Sequence, residues 1–253
     1  MTSADREWDA STYDRVADPM TRWGTKVLER LVLTGDETVL DVGCGTGRVT
    51  ELLLERLPEG RVIANDVSVA MLETAASRLA SNGERVRLLG GDVLELGPDD
   101  LDGWAPVDAV LSTATFHWVL DHDRLFPTLA GLMAPGAQLV AQCGAAGNID
   151  GLMAAVRATG NERAGAWYYA TPAATLHRLE AAGFVDVEVW THPEPTRIEP
   201  RAELEAYLDT VCLRTHVSSL PEAERAGFVA AVADAMPDPV IDYVRLNIVA
   251  RRG

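Results

Sequence analysis

Three glycines stand close together where an apolar run ends in an acid, in the stretch TVLDVGCGTGR at positions 38–48. The acid is Asp41, and the glycines are Gly43, Gly45 and Gly47. Glycine permits positive φ angles and lets a ligand approach the main chain, and the helix predicted to follow offers unpaired N–H groups. The spacing departs from the G-x-G-x-x-G of dinucleotide-binding loops, because the third glycine comes one residue early and Arg48 takes the last position. An acid at this strand end would repel a pyrophosphate and suits a ligand with an amino group.

Two further acids follow the next two predicted strands. Asp66 ends the strand RVIAND about 20 residues after the loop, where a carboxylate binds ribose hydroxyls. Asp92 follows the strand RVRLLGG, where an acid can accept a hydrogen bond from an exocyclic amine such as adenine N6. With Asp41 and the loop, these acids outline a nucleoside that has an amino-acid tail and no phosphates, which describes S-adenosylmethionine. The alternative is that each aspartate is a helix cap or a turn residue.

The elements that must position these residues alternate along the chain. Strands are predicted at 37–43, 61–66, 85–92, 107–114 and 137–144, and helices at about 46–56, 68–79 and 123–133. Strands that are apolar on both faces and alternate with helices are typical of a parallel sheet covered on both sides. The pattern predicts an α/β fold with a Rossmann-like, doubly wound sheet, whose ligand lies beyond the carboxyl ends of the strands.

The pattern changes toward the C-terminus. Residues 184–190 and 240–252 alternate apolar and polar, as edge or antiparallel strands do, and residues 201–217 and 221–236 between them are predicted helices. We expect this helical stretch and two amphipathic helices before residue 35 to cover the ligand crevice; the alternative is a plain structural extension. The predicted organisation is a single domain, 1–253, with an N-terminal helical cap (1–34), a cofactor-binding core (35–145), a segment that includes the helical substrate cover (146–237) and a terminal strand (238–253).

The charge composition limits the classes of partner. Lys and Arg number 22 against 38 Asp and Glu, which gives a net charge of −16. Because this charge repels phosphate backbones and anionic headgroups, we expect neither nucleic acid nor a membrane as a partner. Three widely spaced cysteines, Cys44, Cys143 and Cys212, provide no metal-site spacing, so no metal is predicted. The polar N-terminus and the lack of a long apolar run favour a cytoplasmic protein, as a monomer or a homodimer.

The motifs VLDVGCGTG, ANDVS and GGDVLEL resemble, in this order, the successive motifs of class I S-adenosylmethionine-dependent methyltransferases. The resemblance covers residues 35–145 and implies a seven-stranded sheet whose last strand is antiparallel. It implies S-adenosylmethionine as cofactor and S-adenosylhomocysteine as its product. It also implies that Asp41 and the loop 43–47 hold the methionine part, Asp66 the ribose and Asp92 the adenine, with Val93 flanking the ring. Cys44, Val67 and Ser112 complete the predicted cofactor-binding set.

A narrower resemblance bears on the methyl acceptor. The stretches FHWVLDHDRLFPTLAGLMAPGAQLVAQ, WYY and LNIVARR resemble trans-aconitate methyltransferases, which methylate a carboxylate of a small acid. The triplet HWV is also similar to that of juvenile hormone acid methyltransferases, which esterify another carboxylic acid. The likeness is loose between residues 145 and 237, where the substrate is chosen. It implies a small-molecule acceptor oxygen, with a carboxylate ahead of a hydroxyl and with nitrogen or carbon as alternatives.

Side chains just past the fourth predicted strand are candidates for the chemistry. His117 could donate a hydrogen bond to an acceptor carboxylate or serve as base for a hydroxyl or an amine; the alternative is a packed histidine. The candidates for the acceptor pocket are Tyr13, Trp23, Trp118, Tyr168 and Arg214. An arginine could clamp a carboxylate in bidentate fashion, while the alternatives are a solvated arginine and ordinary aromatic packing.

Two functions from other classes stay open. A nicotinamide-dependent oxidoreductase would use the same kind of sheet, although the spacing of the glycine loop argues against it. A non-catalytic module that binds the cofactor and regulates a partner would carry the same motifs. Turnover with release of S-adenosylhomocysteine distinguishes a catalyst from such a module.

Overall fold

The computed structural model of this protein describes residues 18–161, 163 and 165–253, in which strands and helices alternate. The strands are β1 (Thr38–Val42), β2 (Arg61–Asp66), β3 (Val86–Gly90), β4 (Val107–Thr113), β5 (Met133–Gly144), β6 (Phe184–Pro193), β7 (Thr196–Arg197), β8 (Val240–Ile241) and β9 (Val244–Arg252). The helices are α1 (Asp18–Leu28), α2 (Arg48–Glu55), α3 (Val69–Leu79), α4 (His122–Leu132), α5 (Asp150–Ala158), α6 (Pro172–Ala181), α7 (Arg201–Tyr207), α8 (Arg214–Val217) and α9 (Glu222–Ala235). The first predicted helix and Tyr13 lie outside the described residues.

Seven of the described strands form one sheet in the order β3-β2-β1-β4-β5-β9-β6. Neighbouring strands from β3 to β5 are parallel, whereas β9 is antiparallel to both β5 and β6. This arrangement confirms the predicted Rossmann-like sheet with an antiparallel last strand. The strand order reverses between β1 and β4, so a ligand crevice opens at their carboxyl ends.

Helices cover both faces of this sheet. Val27 of α1 and Leu53 of α2 pack in one cluster with inward residues of β1 and β4. Leu125 of α4 and Leu179 of α6 pack in a second cluster on the alternate residues of the same strands. Because every residue of β1 is buried, its side chains are held from both sides and the strand end is a rigid support for the glycine loop.

The stretch 201–217, predicted as one helix, is interrupted in the structure. A π-helical turn at Leu208–Cys212 separates α7 from α8, and the Leu213 N–H donates to the carbonyl of Leu208 at 2.7 Å. The prediction of one helix was wrong. The wider π-helical turn lets the apolar residues Leu208, Cys212 and Leu213 all be buried. Helix α9 matches the second predicted helix within one residue at each end.

The stretch 240–252, predicted as one strand, divides in two. Its first part, β8, pairs with β7 in a separate ribbon, and its second part, β9, enters the main sheet. The side-chain oxygen of Asn148 accepts a hydrogen bond from the N–H of Val244 at 2.9 Å, where β9 begins. An unbroken alternation cannot reveal such a division, because both parts keep the same period while they pair with different strands.

None of the described helices has both the length and the apolar content that crossing a membrane requires. Within the same part of the chain, no three His, Cys, Asp or Glu side chains come together as potential ligands of a metal ion.

Candidate active site

The glycine loop joins β1 to α2 through backbone that only glycine adopts easily. The N–H groups of Gly43 and Cys44 donate to the carbonyl of Asn65 on β2, at 2.8 and 2.9 Å. At Gly43, φ is +73° and a Cβ would collide with the side chain of Thr115, so a side chain is excluded. At Gly45, φ is +55° and a Cβ would meet no atom within 4 Å, because it would project into a cleft. The loop therefore exposes bare backbone to whatever fills that cleft.

Asp66 and Asp92 line this cleft and also hold its local turns. The carboxylate of Asp66 accepts from the N–H groups of Gly45 and Ser68, both at 2.9 Å, and so ties the glycine loop to the end of β2. Asp92 accepts from the N–H of Leu94 at 3.1 Å and caps the turn Val93–Glu95. The capping alternative is thus correct for both residues, yet a carboxylate has about four lone-pair sites and can still accept hydrogen bonds from a ligand.

Asp41 lies behind the cleft wall instead of on it. Its side chain is buried, and the hydroxyl of Thr50 donates to its carboxylate at 2.6 Å. Burial raises the pKa of Asp41 to about 7 against this hydrogen bond, and the charge of Asp66 raises it further. Ser112 is also turned away from the cleft, since its hydroxyl donates to the carbonyl of Val42 at 2.9 Å and joins β4 to β1.

Cys44 and Gly47 shape the loop and do not line the cleft. Burial raises the pKa of the Cys44 thiol, so this cysteine is neutral and unreactive at physiological pH. Gly47 is left-handed, with φ of +80°, and immediately precedes the first residue of α2. Both residues act through backbone geometry.

The cleft has a volume of about 260 Å³ and brings together most of the predicted cofactor residues. Those that line it are Gly43, Gly45, Asp66, Val67, Asp92 and Val93. Residues that the sequence analysis did not single out complete the wall, among them Asn65, Met71, Gly91, Leu94 and Thr115. The lining fits an adenosine with an amino-acid tail, because it combines bare backbone, three acids (Asp66, Asp92 and Asp121) and apolar side chains. Arg214 is the one cation on the described wall, which suits a ligand without phosphates.

A second, smaller cavity of about 60 Å³ adjoins the cleft, and Ala114 and Trp118 line both. Its other lining residues are Met20, His117, Asn148, Ile149, Trp167, Tyr169, Val211, Cys212, Tyr243 and Arg245. Helix α1 and the π-helical turn supply part of this wall, which is the position expected of a cover. We call this space the inner cavity.

His117 lies in the wall of the inner cavity and is 8% exposed. The N–H of Gly144 donates to its Nδ1 at 3.4 Å, which leaves the ring proton of the neutral form on Nε2. Burial lowers the pKa of His117 to about 3, and the charges of Arg245 and His122 add to the effect. The ring is therefore a neutral hydrogen-bond donor at physiological pH, with little capacity to take a proton.

Arg245, at the second position of β9, lines the inner cavity and was not singled out by the sequence analysis. It is 3% exposed, and its Nε donates to the side-chain oxygen of Gln142 at 3.2 Å. The guanidinium lies over the ring of Trp23 at 4.8 Å. It forms no ion pair with a carboxylate of the described residues. Burial lowers its pKa, but arginine stays protonated in proteins, so the cavity wall carries a positive charge that no carboxylate of the described residues pairs with.

The remaining candidates for the acceptor pocket are distributed unevenly. Trp118 lines both cavities, Arg214 lines the cleft, and Trp23 packs behind Arg245 without lining either. Tyr168 points away: its hydroxyl accepts from Arg178 at 3.0 Å, and its neighbour Tyr169 lines the inner cavity. Tyr168 does not line the inner cavity, because successive side chains of an extended segment point in opposite directions.

The sequence of this chain matches a protein-family model and individual proteins of known name. Residues 39–136 match a family model described as a methyltransferase domain. A trans-aconitate 2-methyltransferase of Methylobacterium radiotolerans is 31% identical over 97% of this chain and 98% of that protein. One from Paracidovorax citrulli is 30% identical, with the same coverage of both chains.

Solved structures of lower identity share the fold. A phosphoethanolamine N-methyltransferase of Haemonchus contortus, solved with S-adenosylhomocysteine, superposes with a TM-score of 0.64 at 17% identity, over 96% of this chain and 57% of that one. A geranyl diphosphate C-methyltransferase of Streptomyces coelicolor gives 0.57 at 16% identity, over 92% and 77%. These structures have acceptors of unlike chemistry, so they bear on the sheet and its layers alone.

Proposed function

Since this chain belongs to the class I S-adenosylmethionine-dependent methyltransferases, in the group that contains the trans-aconitate 2-methyltransferases, we propose that it methylates a carboxylate oxygen of a small organic acid. The enzyme class and the methyl donor are as the sequence predicts. The choice of a carboxylate is our inference. It agrees with the names of the relatives and comes from the charge in the inner cavity.

The observation that carries this proposal is the buried guanidinium of Arg245. No described carboxylate forms an ion pair with this buried charge; burying a charge without a partner is costly, and a bound anion offsets that cost. The planar guanidinium presents several N–H donors that match the two oxygens of a carboxylate. Its cavity opens beside Ala114 and Trp118, which also line the cofactor cleft, so an acid bound there would lie next to the donor.

The state of His117 supports a carboxylate over a hydroxyl. A hydroxyl nucleophile would need a base, whereas a carboxylic acid with a pKa near 4 is already ionised at pH 7. Because the pKa of His117 is lowered to about 3 and its Nδ1 accepts from Gly144, the ring offers Nε2–H as a donor. We assign His117 the role of holding one carboxylate oxygen, which orients the acceptor.

The chain supplies alignment and exclusion of water. Bound S-adenosylmethionine supplies a methyl group whose bond to sulfur breaks as the acceptor oxygen bonds to its carbon, with the electron pair passing to sulfur and no proton to move. Gly45, Asp66 and Asp92 hold the donor, while Arg245 and His117 hold the acid. Side chains of α1 and the π-helical turn form part of the wall of the inner cavity. The burial of Arg245 and His117 in that wall strengthens their interactions with a bound acid.

The same charge disfavours an amine acceptor. Aromatic walls can hold an ammonium group, but Arg245 repels a cation and no described carboxylate lines the inner cavity. Asp66, Asp92 and Asp121, the acids that do line a cavity, belong to the cofactor cleft.

The test is release of S-adenosylhomocysteine from a panel of small carboxylic acids, alcohols and amines, each supplied at equal concentration with S-adenosylmethionine. We expect turnover with acids, and a product that mild base hydrolyses back to the acid, as it does an ester. Turnover confined to amines or alcohols, or a methylated product stable to base, would contradict the proposal.

A further inference from the structure

Among the described residues, the wall of the inner cavity combines one cation with a group of aromatic rings in mutual contact, and from this combination we propose the substrate class. Resting on the proposed function, we infer that the acceptor is a monocarboxylic acid with a flat, conjugated or aromatic body. The acid end faces Arg245, and the body lies among the rings. This class differs from the tricarboxylic acid named for the relatives.

The first argument is a count of charges on the cavity wall. Among the described lining residues of the inner cavity, Arg245 is the one that carries a full charge. The other cation on either wall is Arg214, which lies in the cofactor cleft. A tricarboxylate such as trans-aconitate would therefore have at least one carboxylate without a cationic partner among the described residues, even with both arginines engaged. A buried carboxylate that has no cationic partner is unfavourable.

The second argument is the arrangement of rings. His117 and Trp118 have centroids 5.0 Å apart, Trp118 and Trp167 6.0 Å, Trp167 and Tyr169 5.7 Å, and Tyr169 and His117 5.8 Å. The four rings thus form a closed circuit in the cavity wall, and we call it the ring cluster. Trp167 and Tyr169 stack on each other at 29°, and both residues also line the inner cavity. Flat ligands pack on such rings by offset stacking or edge contact and lose little conformational entropy on binding.

The third argument separates this site from an aromatic cage for cations. Cages of this kind hold ammonium groups when the surrounding charge is negative or neutral. Here the guanidinium of Arg245 sits in the same cavity and already lies over the rings of Trp23 and Tyr243, at 4.8 and 6.0 Å. Trp23 and Tyr243 thus contact the guanidinium, whereas the ring cluster can contact the body of the ligand.

The test compares trans-cinnamate, a flat monoacid, with hexanoate, a flexible monoacid, and with trans-aconitate. Dissociation constants are measured by calorimetry on the S-adenosylhomocysteine complex, and kcat/KM by release of S-adenosylhomocysteine. We expect cinnamate to exceed both other acids by about 10-fold or more in each measurement, on the order of 1.4 kcal/mol. If trans-aconitate binds and reacts as well as cinnamate or better, the inference of a monocarboxylic acid is wrong. If hexanoate binds and reacts as well as cinnamate, the rings do not select a flat body.

A variant pair locates the preference in the ring cluster. Trp167→Leu should reduce the ratio of cinnamate to hexanoate affinity about five-fold or more, because it removes one stacking surface. Trp190→Leu is the matched control, since Trp190 is partly exposed on β6 and lines neither cavity. An unchanged ratio in a folded Trp167→Leu protein would refute the inference. Failure of every acid while an amine or an alcohol reacts would instead refute the proposed function, so the two failures are distinguishable.

Discussion

The two adjoining cavities are built in opposite ways. The cofactor cleft is lined mainly by residues 42–121, which lie at the ends of consecutive strands, and its charged groups are mostly acids. The inner cavity draws its wall from segments as far apart as Met20 and Arg245, and the one charged group among its described lining residues is a cation. Donor binding therefore belongs to the sheet and its local motifs, whereas acceptor binding depends on how the cover and the terminal strand meet. The contrast predicts that variants on one side will leave the other nearly unaffected.

The largest expected effect comes from Arg245→Gln. Truncating one partner of a buried charged pair costs about 2–5 kcal/mol, so we expect kcat/KM for the acid to fall about 100-fold or more. The affinity for S-adenosylhomocysteine, measured by calorimetry, should change less than about two-fold. Arg251→Gln is the control, because Arg251 lies exposed on the same strand. If Arg245→Gln lowers kcat/KM for the acid and the affinity for S-adenosylhomocysteine to the same extent, the two cavities do not act separately.

On the donor side, Asp66→Ala should weaken S-adenosylmethionine binding about 10-fold or more. A hydrogen bond to a charged group is worth about 1.5–3 kcal/mol, and the variant also frees the N–H of Gly45. Asp66→Asn should lose less, because its amide oxygen can still accept from the loop. Asp99→Ala, exposed in the turn Pro98–Leu101, should leave binding unchanged. Unaltered calorimetric affinity in Asp66→Ala would remove this residue from the donor site.

A smaller effect is expected from Gly45→Ala, which tests the bare backbone of the loop. The added methyl group would project into the cleft, and alanine at positive φ costs about 1 kcal/mol. Gly136→Ala shares that cost, since Gly136 has φ of +82° and open space around it, but it lies away from both cavities. We expect both variants to lose a similar amount of melting temperature. Only Gly45→Ala should also lose affinity for the methyl donor, by about five-fold. Equal donor affinities would mean that no ligand approaches Gly45.

The smallest expected effect is an absence of pH dependence. His117 has a pKa lowered to about 3, so it is neutral above that pH, and an acid acceptor is ionised above about pH 6. We expect kcat at saturating donor to vary less than about two-fold from about pH 6 to 9. Saturation matters because Asp41, with a pKa of about 7, lies beside the donor cleft. A rise of kcat with pH that His117→Gln abolishes would show that this ring acts as a base.

The fold and the donor cleft were largely predictable because their signals are local. Asp66 and Asp92 stand at strand ends that periodicity alone reveals, and Gly45 lies in a motif of a few residues. Asp41 shows the limit of that reasoning. Its place at a strand end is the same, but its side chain points inward to Thr50, and a pattern of strand ends does not report side-chain direction.

The inner cavity was only partly predictable because it depends on contacts distant in sequence. Arg245 reads as one more polar position in an alternating strand, and its burial follows from α1 packing over it through Trp23. The sequence pointed to Tyr168, whereas Tyr169 lines the inner cavity; the hydrogen bond from the N–H of Tyr168 to the carbonyl of His117 helps to set this orientation, and a sequence pattern does not reveal it. The π-helical turn that brings Cys212 to the cavity leaves no local signal either.

The most direct test is a crystal structure with S-adenosylhomocysteine and trans-cinnamate bound together. The account predicts the nucleoside in the cleft beside Gly45, Asp66 and Asp92, and the cinnamate carboxylate about 2.9 Å from the guanidinium of Arg245. A carboxylate bound elsewhere, with Arg245 still facing an inner cavity that holds no acid, would contradict it.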